Sequence, residues 1–287
     1  MCTTCGCSDN TKATVTNLAT GETVAVDEHH QHDHAHHHTH RHDGHHHHHD
    51  DAQSHDHSHH HEHGTTINLE QEILAKNNLI AERNRGWFEG RNILALNLVS
   101  SPGAGKTTLL ERTIHDLHGK LAVSVIEGDQ ETINDAQRIK ATGCKVVQIN
   151  TGTGCHLEAD MLARGLKQLQ PPVDSVVMIE NVGNLVCPAL FDLGEKSKVV
   201  ILSVTEGEDK PIKYPHMFRA SDVMIINKID LLPYVEFNID QCIEHARSVN
   251  PDIKIFQLSA TKGDGLDNWY NWLTNTVKIN GESVAAL

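Results

Sequence analysis

Ser100-Ser101-Pro102-Gly103-Ala104-Gly105-Lys106-Thr107 follows the apolar run Ile93 to Val99 and opens into the helix-like Leu109-Leu110-Glu111-Arg112. A strand, a glycine-rich turn and a helix N-terminus in that order aim backbone N–H groups and the positive end of a helix dipole at one spot, where a chain of phosphates can sit. Gly103, Ala104, Gly105 and Thr108 shape that cradle. Lys106 is placed to reach the β- and γ-phosphates as a point charge, and Thr107 to offer its hydroxyl to Mg2+, which keeps hard oxygen ligands. The general pattern asks for glycine where Ser100 stands. An ordinary glycine-rich βα turn is the competing reading, but such a turn has no use for Gly-Lys-Thr.

Outward from this loop, strand-like runs recur at Ile93 to Val99, Leu121 to Ile126, Lys145 to Asn150, Ser175 to Glu180, Lys198 to Val204, Asp222 to Ile226 and Ile253 to Leu258, most of them separated by helical stretches. The runs are continuous rather than alternating, as buried parallel strands are. This predicts an α/β fold with a mostly parallel, doubly wound sheet flanked by helices, and ligands at the carboxyl ends of its strands. Ahead of it, Leu69, Ile73, Ile80 and Trp87 are spaced for a helix over Ile67 to Phe88, with Asn68 as its cap and Glu70 and Glu72 in its first turn.

Chemistry gathers at the strand ends. Glu127-Gly128-Asp129 follows the second run; Asp129 can hold Mg2+ through water or orient an attacking water, or it can simply cap a helix. Glu180-Asn181-Val182-Gly183 resembles the Walker B and switch region of nucleotide hydrolases, with Glu180 where Asp is commoner. Lys106, Asp129 and Glu180 are therefore the catalytic candidates. Asn227-Lys228-Ile229-Asp230 resembles the guanine-specificity motif of GTPases: an Asp accepts hydrogen bonds from guanine N1–H and the exocyclic amine, donors that adenine does not present together. Ser259 and Ala260 stand where the second base-contacting loop falls. In this order the motifs favour GTP over ATP.

Cys155 and His156 follow the third run, and Cys187 lies seven residues past Glu180. Both loops leave the same edge of the sheet, so two thiolates and an imidazole can converge on Zn2+ or Ni2+, with a fourth ligand or a second subunit completing the shell. Packing is the rival explanation for such residues. Cys144 and Cys242 lack such neighbours and read as core thiols.

The chain has 287 residues and a formal charge of −14. Of its 25 histidines, 20 fall between His29 and His63, in a segment with almost no apolar residues to build a core. Neutral imidazoles interleaved with Asp make a multi-site store for Ni, Zn, Cu or Co, and an internal run broken by Asp33, Arg41 and Asp43 is unlike an expression tag. Cys2, Cys5 and Cys7 place three thiols beside Gly6, able to close on one thiophilic ion. Removal of Met1 would free an amine to join the three sulfurs, a donor set suited to square-planar Ni2+. An Fe–S ligand set or redox-active thiols are the alternatives. The expected organisation is a cysteine motif and polar tether over 1–26, a disordered histidine-rich metal-binding tail over 27–66, and a nucleotide domain over 67–287. No basic patch suits nucleic acid, no run of about 18 apolar residues suits a membrane, and no signal-peptide core is present, so a cytoplasmic protein is expected.

With these residues in view, the chain resembles the HypB family of hydrogenase nickel-incorporation GTPases, part of a metallochaperone group of dimerising P-loop GTPases. The likeness covers about Ile67 to the C-terminus, and Cys2, Cys5 and Cys7 match an N-terminal metal motif found in some members. Its most specific stretches are Val125-Ile126-Glu127-Gly128-Asp129, Gly154-Cys155-His156-Leu157, Glu180 through Pro188 and Val204 through Pro211. Ser100 fits this family. The resemblance implies slow GTP hydrolysis, a homodimer with Cys155, His156 and Cys187 as metal ligands at its interface, and partnership with a HypA-type metallochaperone and the [NiFe] hydrogenase large-subunit precursor. A urease-type nickel GTPase and a histidine-rich nickel store remain as alternatives.

Overall fold

The computed structural model describes residues 13–25, 62–130 and 134–284. Cys2, Cys5 and Cys7, and nearly all of the histidine-rich segment, lie outside those residues.

The stretch expected to be a tether contains two strands, β1 (Thr14–Asn17) and β2 (Thr23–Ala25). They pair antiparallel with each other, and β1 pairs antiparallel with β5 (Lys145–Asn150), extending the sheet at one edge. The cause is short-range alternation: Val15, flanked by the β-branched Thr14 and Thr16, points inward and is buried beside Val147 and Ile149, while its neighbours stay wet. Asn17 closes the turn, accepting from Gly21 N at 2.8 Å through its carbonyl and from Ala19 N at 2.9 Å through its side chain, and its Nδ2 donates to Gln168 O at 3.2 Å.

All seven apolar runs become parallel strands: β3 (Leu94–Ser100), β4 (Val123–Asp129), β5, β6 (Val176–Glu180), β7 (Ser197–Ser203), β8 (Val223–Asn227) and β9 (Lys254–Gln257). The sheet order is β2-β1-β5-β4-β6-β3-β7-β8-β9, which puts β3 in the middle of the seven parallel strands, with the chain leaving it toward β4 on one side and returning past it to β7 on the other. Such a reversal opens a crevice at the carboxyl ends of the strands.

Helices α2 (Lys106–Asp116), α3 (Asn134–Ala141) and α8 (Leu266–Val284) cover one face, where Leu96, Leu98, Leu109, Leu110, Ile139 and Trp269 form a core. The opposite face packs Phe88, Ala95, Ile149 and Leu162 beneath α1 (Glu62–Glu89) and α4 (Ala159–Leu169). A third cluster lies under α6 (Pro215–Arg219) and α7 (Ile239–Val249), next to the short α5 (Lys210–Lys213). Because side chains alternate along β3, Asn97 emerges on the α1 side with Ala95. Helix α1 starts at Glu62 rather than Ile67, so Asn68 lies inside it and is not its cap; no proline in that stretch stops the helix from extending back. The connection from β6 to β7 carries only a single helical turn, Cys187–Ala189, before crossing α1 at Gly194. There φ is +88°, and an added Cβ would strike the backbone of Ala81.

Candidate functional site

Strand β3 is buried throughout and ends at the phosphate loop, whose Gly103 and Gly105 take φ of 78° and 93°. Gly105 admits no side chain, since a Cβ would stand 2.5 Å from Asn227 Nδ2. Strand β8 braces the loop from behind: Asn227 Nδ2 donates to Ala104 O at 2.9 Å and Lys228 Nζ to Gly103 O at 2.6 Å. Helix α2 begins at Lys106, so the loop's N–H groups and the helix end converge on a cleft of about 520 Å³.

Two carboxyls form the floor. Glu127, near the end of β4, and Glu180, the last residue of β6, are register partners on adjacent parallel strands, each 2 % exposed. Strand β4 extends through Asp129, farther than its apolar run, because it pairs with β5 as far as Asn150. Thr107 Oγ1 donates to Glu180 Oε1 at 2.7 Å, and Lys106 Nζ lies 3.5 Å from the same oxygen. Oε2 of Glu127 and of Glu180 is buried without a hydrogen-bond partner. Burial, then the charges of Glu180, Asp129 and Asp135, push the Glu127 carboxyl up to about 9, against the pull of Lys106. Burial raises Glu180 as well, opposed by Lys106 and the Thr107 hydrogen bond. Orphaned carboxyl oxygens beside a threonine hydroxyl suit a hard divalent cation.

Asp129 Oδ1 accepts from Gln130 N at 2.8 Å. Thr108 accepts from Arg138 Nη2 at 3.4 Å. Arg138 also lines the cleft and donates to Glu111 Oε2 at 2.6 Å. Nothing local in the sequence marks Arg138, since an Arg on a helix face has no signature of its own. Gly183 lies against the loop, where an added Cβ would stand 3.2 Å from Pro102 Cγ.

At the base-facing end, Asn227 Oδ1 accepts from Lys228 N at 2.8 Å and from Ala260 N at 3.2 Å, while Ser259 Oγ donates to Asp230 Oδ1 at 2.6 Å. The loops after β8 and β9 are thereby locked together, as a shared wall for a planar base requires.

On the same edge, the ligand atoms of Cys155, His156 and Cys187 all lie within 4.8 Å of one another. Cys155 Sγ and His156 Nδ1 are 3.6 Å apart, near the roughly 3.5 Å separating thiolate and imidazole ligands of a tetrahedral ion. The His156 ring stacks on Phe191 with centroids 3.9 Å apart. Burial pushes its pKa down to about 4, so the ring is neutral at pH 7, the form that ligates metals. Its Nε2 is buried and accepts no hydrogen bond; Glu158 Oε1 stands 3.9 Å away, too far for one. Val186 and Leu190, flanking Cys187, are each 58 % exposed, so this cluster opens onto an apolar surface. Cys144 and Cys242 are packing thiols, each raised to about 12 chiefly by burial, and Cys144 donates to Val123 O at 3.1 Å.

A mostly parallel sheet with a phosphate loop at the end of β3, a carboxyl at the end of β6 beside it and two more on β4 defines a P-loop GTPase. Residues 94–257 match the family described as "CobW/HypB/UreG, nucleotide-binding domain". The chain belongs to the HypB family of hydrogenase maturation factors within that group. It is 58% identical over 207 residues to hydrogenase maturation factor HypB of Escherichia coli K12, covering 72% of this chain and 71% of that protein. Its structure resembles that of HypB from Helicobacter pylori in complex with nickel, with TM-score 0.67 and 37% identity, over 71% of this chain and 96% of that one. The Archaeoglobus fulgidus HypB structure matches with TM-score 0.67 and 36% identity, over 71% of this chain and 99% of that one. No helix among the described residues is long and apolar enough to cross a membrane.

Proposed function

We propose that this chain uses GTP hydrolysis to time the handover of a nickel ion during [NiFe] hydrogenase maturation. The observation that carries this reading is the place of Cys187. It clusters with Cys155 and His156, yet lies on the segment that leaves β6 after Glu180 and passes Gly183, so one segment meets both nucleotide and metal. A soft pair of thiolates with one imidazole accepts Ni2+ or Zn2+, and the relative solved with nickel supports Ni2+ as the cargo.

In the nucleotide cleft, the N–H groups from Gly103 to Thr108 cradle the phosphates and Lys106 neutralises their charge. Thr107, its hydroxyl anchored by Glu180, would hold Mg2+, which neutralises charge on the β- and γ-phosphate oxygens when bound. Asp129 orients the attacking water. As that water's oxygen bonds to the γ-phosphorus, the bond to the bridging oxygen breaks, leaving GDP and inorganic phosphate. Asp230 accepts from guanine N1–H and the exocyclic amine, with Asn227, Lys228, Ser259 and Ala260 fixing its loop.

Loss of the γ-phosphate releases the segment around Gly183 and with it Cys187, loosening the metal. Cys2, Cys5 and Cys7 and the histidines hold nickel in reserve. The apolar rim of Val186 and Leu190 suits a second copy of the chain that completes the ion's shell. A HypA-type metallochaperone and the hydrogenase large-subunit precursor are the onward partners.

The test is rescue of hydrogenase activity in cells lacking their own factor. The wild-type chain restores it, whereas Lys106→Ala and Cys187→Ala both fail, and only Lys106→Ala loses GTP hydrolysis in vitro. Full rescue by Cys187→Ala would remove the metal cluster from the delivery path.

A further inference from the structure

Three side-chain amides tie the nucleotide-facing strand ends to the loop that carries Cys155 and His156. Gln130, next to Asp129, donates through Nε2 to Gly154 O at 3.3 Å. Asn184 Nδ2 donates to Cys155 O at 3.2 Å. Asn181, the residue after Glu180, is buried, and its Oδ1 accepts from Leu157 N at 3.1 Å and from Val182 N at 2.9 Å. The loop backbone is thus held on both sides of His156.

Asn181 also reaches the other half of the cluster. Its Nδ2 donates to Asn97 Oδ1 at 3.2 Å, and Asn97 Nδ2 donates to Glu195 Oε1 at 3.0 Å. Lys198 Nζ, 3.7 Å from the same Glu195 oxygen, donates to Pro188 O at 2.8 Å and to Phe191 O at 3.3 Å. Pro188 follows Cys187, and Phe191 stacks on His156. A buried polar chain therefore runs from Asn181 in both directions, to Leu157 on one loop and to the Cys187 turn on the other. Buried hydrogen-bonded groups cannot slide independently without leaving donors or acceptors unpaired, which costs more than the bonds themselves gain.

We infer that Asn181 is the positioning residue that couples the nucleotide state to the geometry of the Cys155, His156 and Cys187 cluster. The inference rests on the GTP-controlled reading above and names its linkage. When Gly183 moves relative to Pro102, the peptide between Asn181 and Val182 turns with it, and the Asn181 amide drags Leu157 N and Asn97 together. Asn184 adds a second grip on Cys155 O, so the loop of Cys155 and His156 follows the segment that leads to Cys187. A demonstrated coupling must change metal affinity by the same factor as nucleotide affinity.

The test uses the full chain carrying Cys2→Ser, Cys5→Ser and Cys7→Ser, so that thiolate-to-cobalt charge-transfer absorbance reports Cys155 and Cys187 when Co2+ is titrated in. Cobalt affinity is measured with GDP and with a non-hydrolysable GTP analogue, and the ratio of the two is the readout. In the background chain the ratio is expected at about 5- to 150-fold, the usual range of allosteric coupling. Asn181→Ala should bring it to about one, with the analogue still bound and the cobalt spectrum still present. Asn184→Ala, which spares the buried chain and guards against a folding defect in the first variant, should lower the ratio without abolishing it. Gln130→Ala removes only a long, solvent-exposed tie outside the buried chain and should leave it unchanged. An unchanged ratio in both asparagine variants, or its loss in Gln130→Ala instead, overturns the inference alone. A ratio of one in the background overturns the GTP-controlled reading and this inference with it.

Discussion

Glu127 and Glu180 are register partners on adjacent parallel strands, and a single cation, Lys106, serves both: it lies 3.5 Å from Glu180 and draws down the Glu127 carboxyl through space. One positive charge cannot compensate two buried negative ones. Glu127, pushed up to about 9, is the carboxyl that keeps its proton.

This makes the nucleotide-free protein sensitive to alkali. Glu127 ionises at about 4.3 when unfolded and at about 9 when folded, so between those values the folded state holds the extra proton and stability falls as pH rises. Glu127→Gln supplies a neutral group of the same shape. In thermal melts without nucleotide or Mg2+, the variant should melt above wild type by a margin that widens from pH 6 to pH 9. A constant margin would mean that Glu127 is ionised throughout.

Asp230 Oδ1 accepts from the Ser259 hydroxyl at 2.6 Å, and in the proposed function its carboxylate accepts from guanine N1–H and the exocyclic amine. Asp230→Asn exchanges one acceptor for a donor. It should weaken GTP binding by about 10- to 100-fold, the cost of one mispaired charged hydrogen bond, and improve binding of xanthosine triphosphate, whose O2 accepts where the guanine amine donates. Equal losses for both nucleotides would place Asp230 in a purely structural role.

The parallel strands and the phosphate loop were legible because each is a local signal: a continuous apolar run, or Gly-Ala-Gly-Lys-Thr at the end of one. The antiparallel strand β1 was not, since its alternation lasts four residues and turns on Val15 alone. The extent of β4 was hidden because Glu127 and Asp129 read as loop chemistry, whereas ladder pairing to Gln148 and Asn150 carries them into the sheet. The amide chain beneath the metal cluster was least visible. Asn97 interrupts an apolar run, which is a cue, but its partners Asn181 and Glu195 are 84 and 98 residues away and only the fold brings them together.

Thiol chemistry separates the two kinds of cysteine. Cys144 and Cys242, raised to about 12 by burial, have almost no thiolate at pH 8 and should resist alkylation in the folded chain. Cys155 and Cys187 should be protected by Ni2+ or Zn2+ and become modified when a chelator removes the ion, as read by mass spectrometry of the peptides containing them. Labelling of Cys155 and Cys187 at the same rate with and without metal would show that the cluster does not hold the ion.

Lys198 and Glu195 offer a measure of how much of the cluster's geometry depends on the layer beneath it. Their side chains are only 7 % and 6 % exposed, and Lys198 spends its donors on Pro188 O and Phe191 O as well as on Glu195. Lys198→Ala strands the Glu195 carboxylate in the interior, so it should destabilise the chain by about 3–5 kcal/mol in urea unfolding. Replacing both charges, Lys198→Met with Glu195→Gln, removes the stranded charge, and most of that loss should return. The double variant still lacks the cation that gathers Pro188 and Phe191, so Cys187 and the ring under His156 are no longer pinned. It should therefore fold nearly as well as wild type while binding nickel more weakly. Recovery of both stability and nickel affinity would show that packing alone sets the cluster.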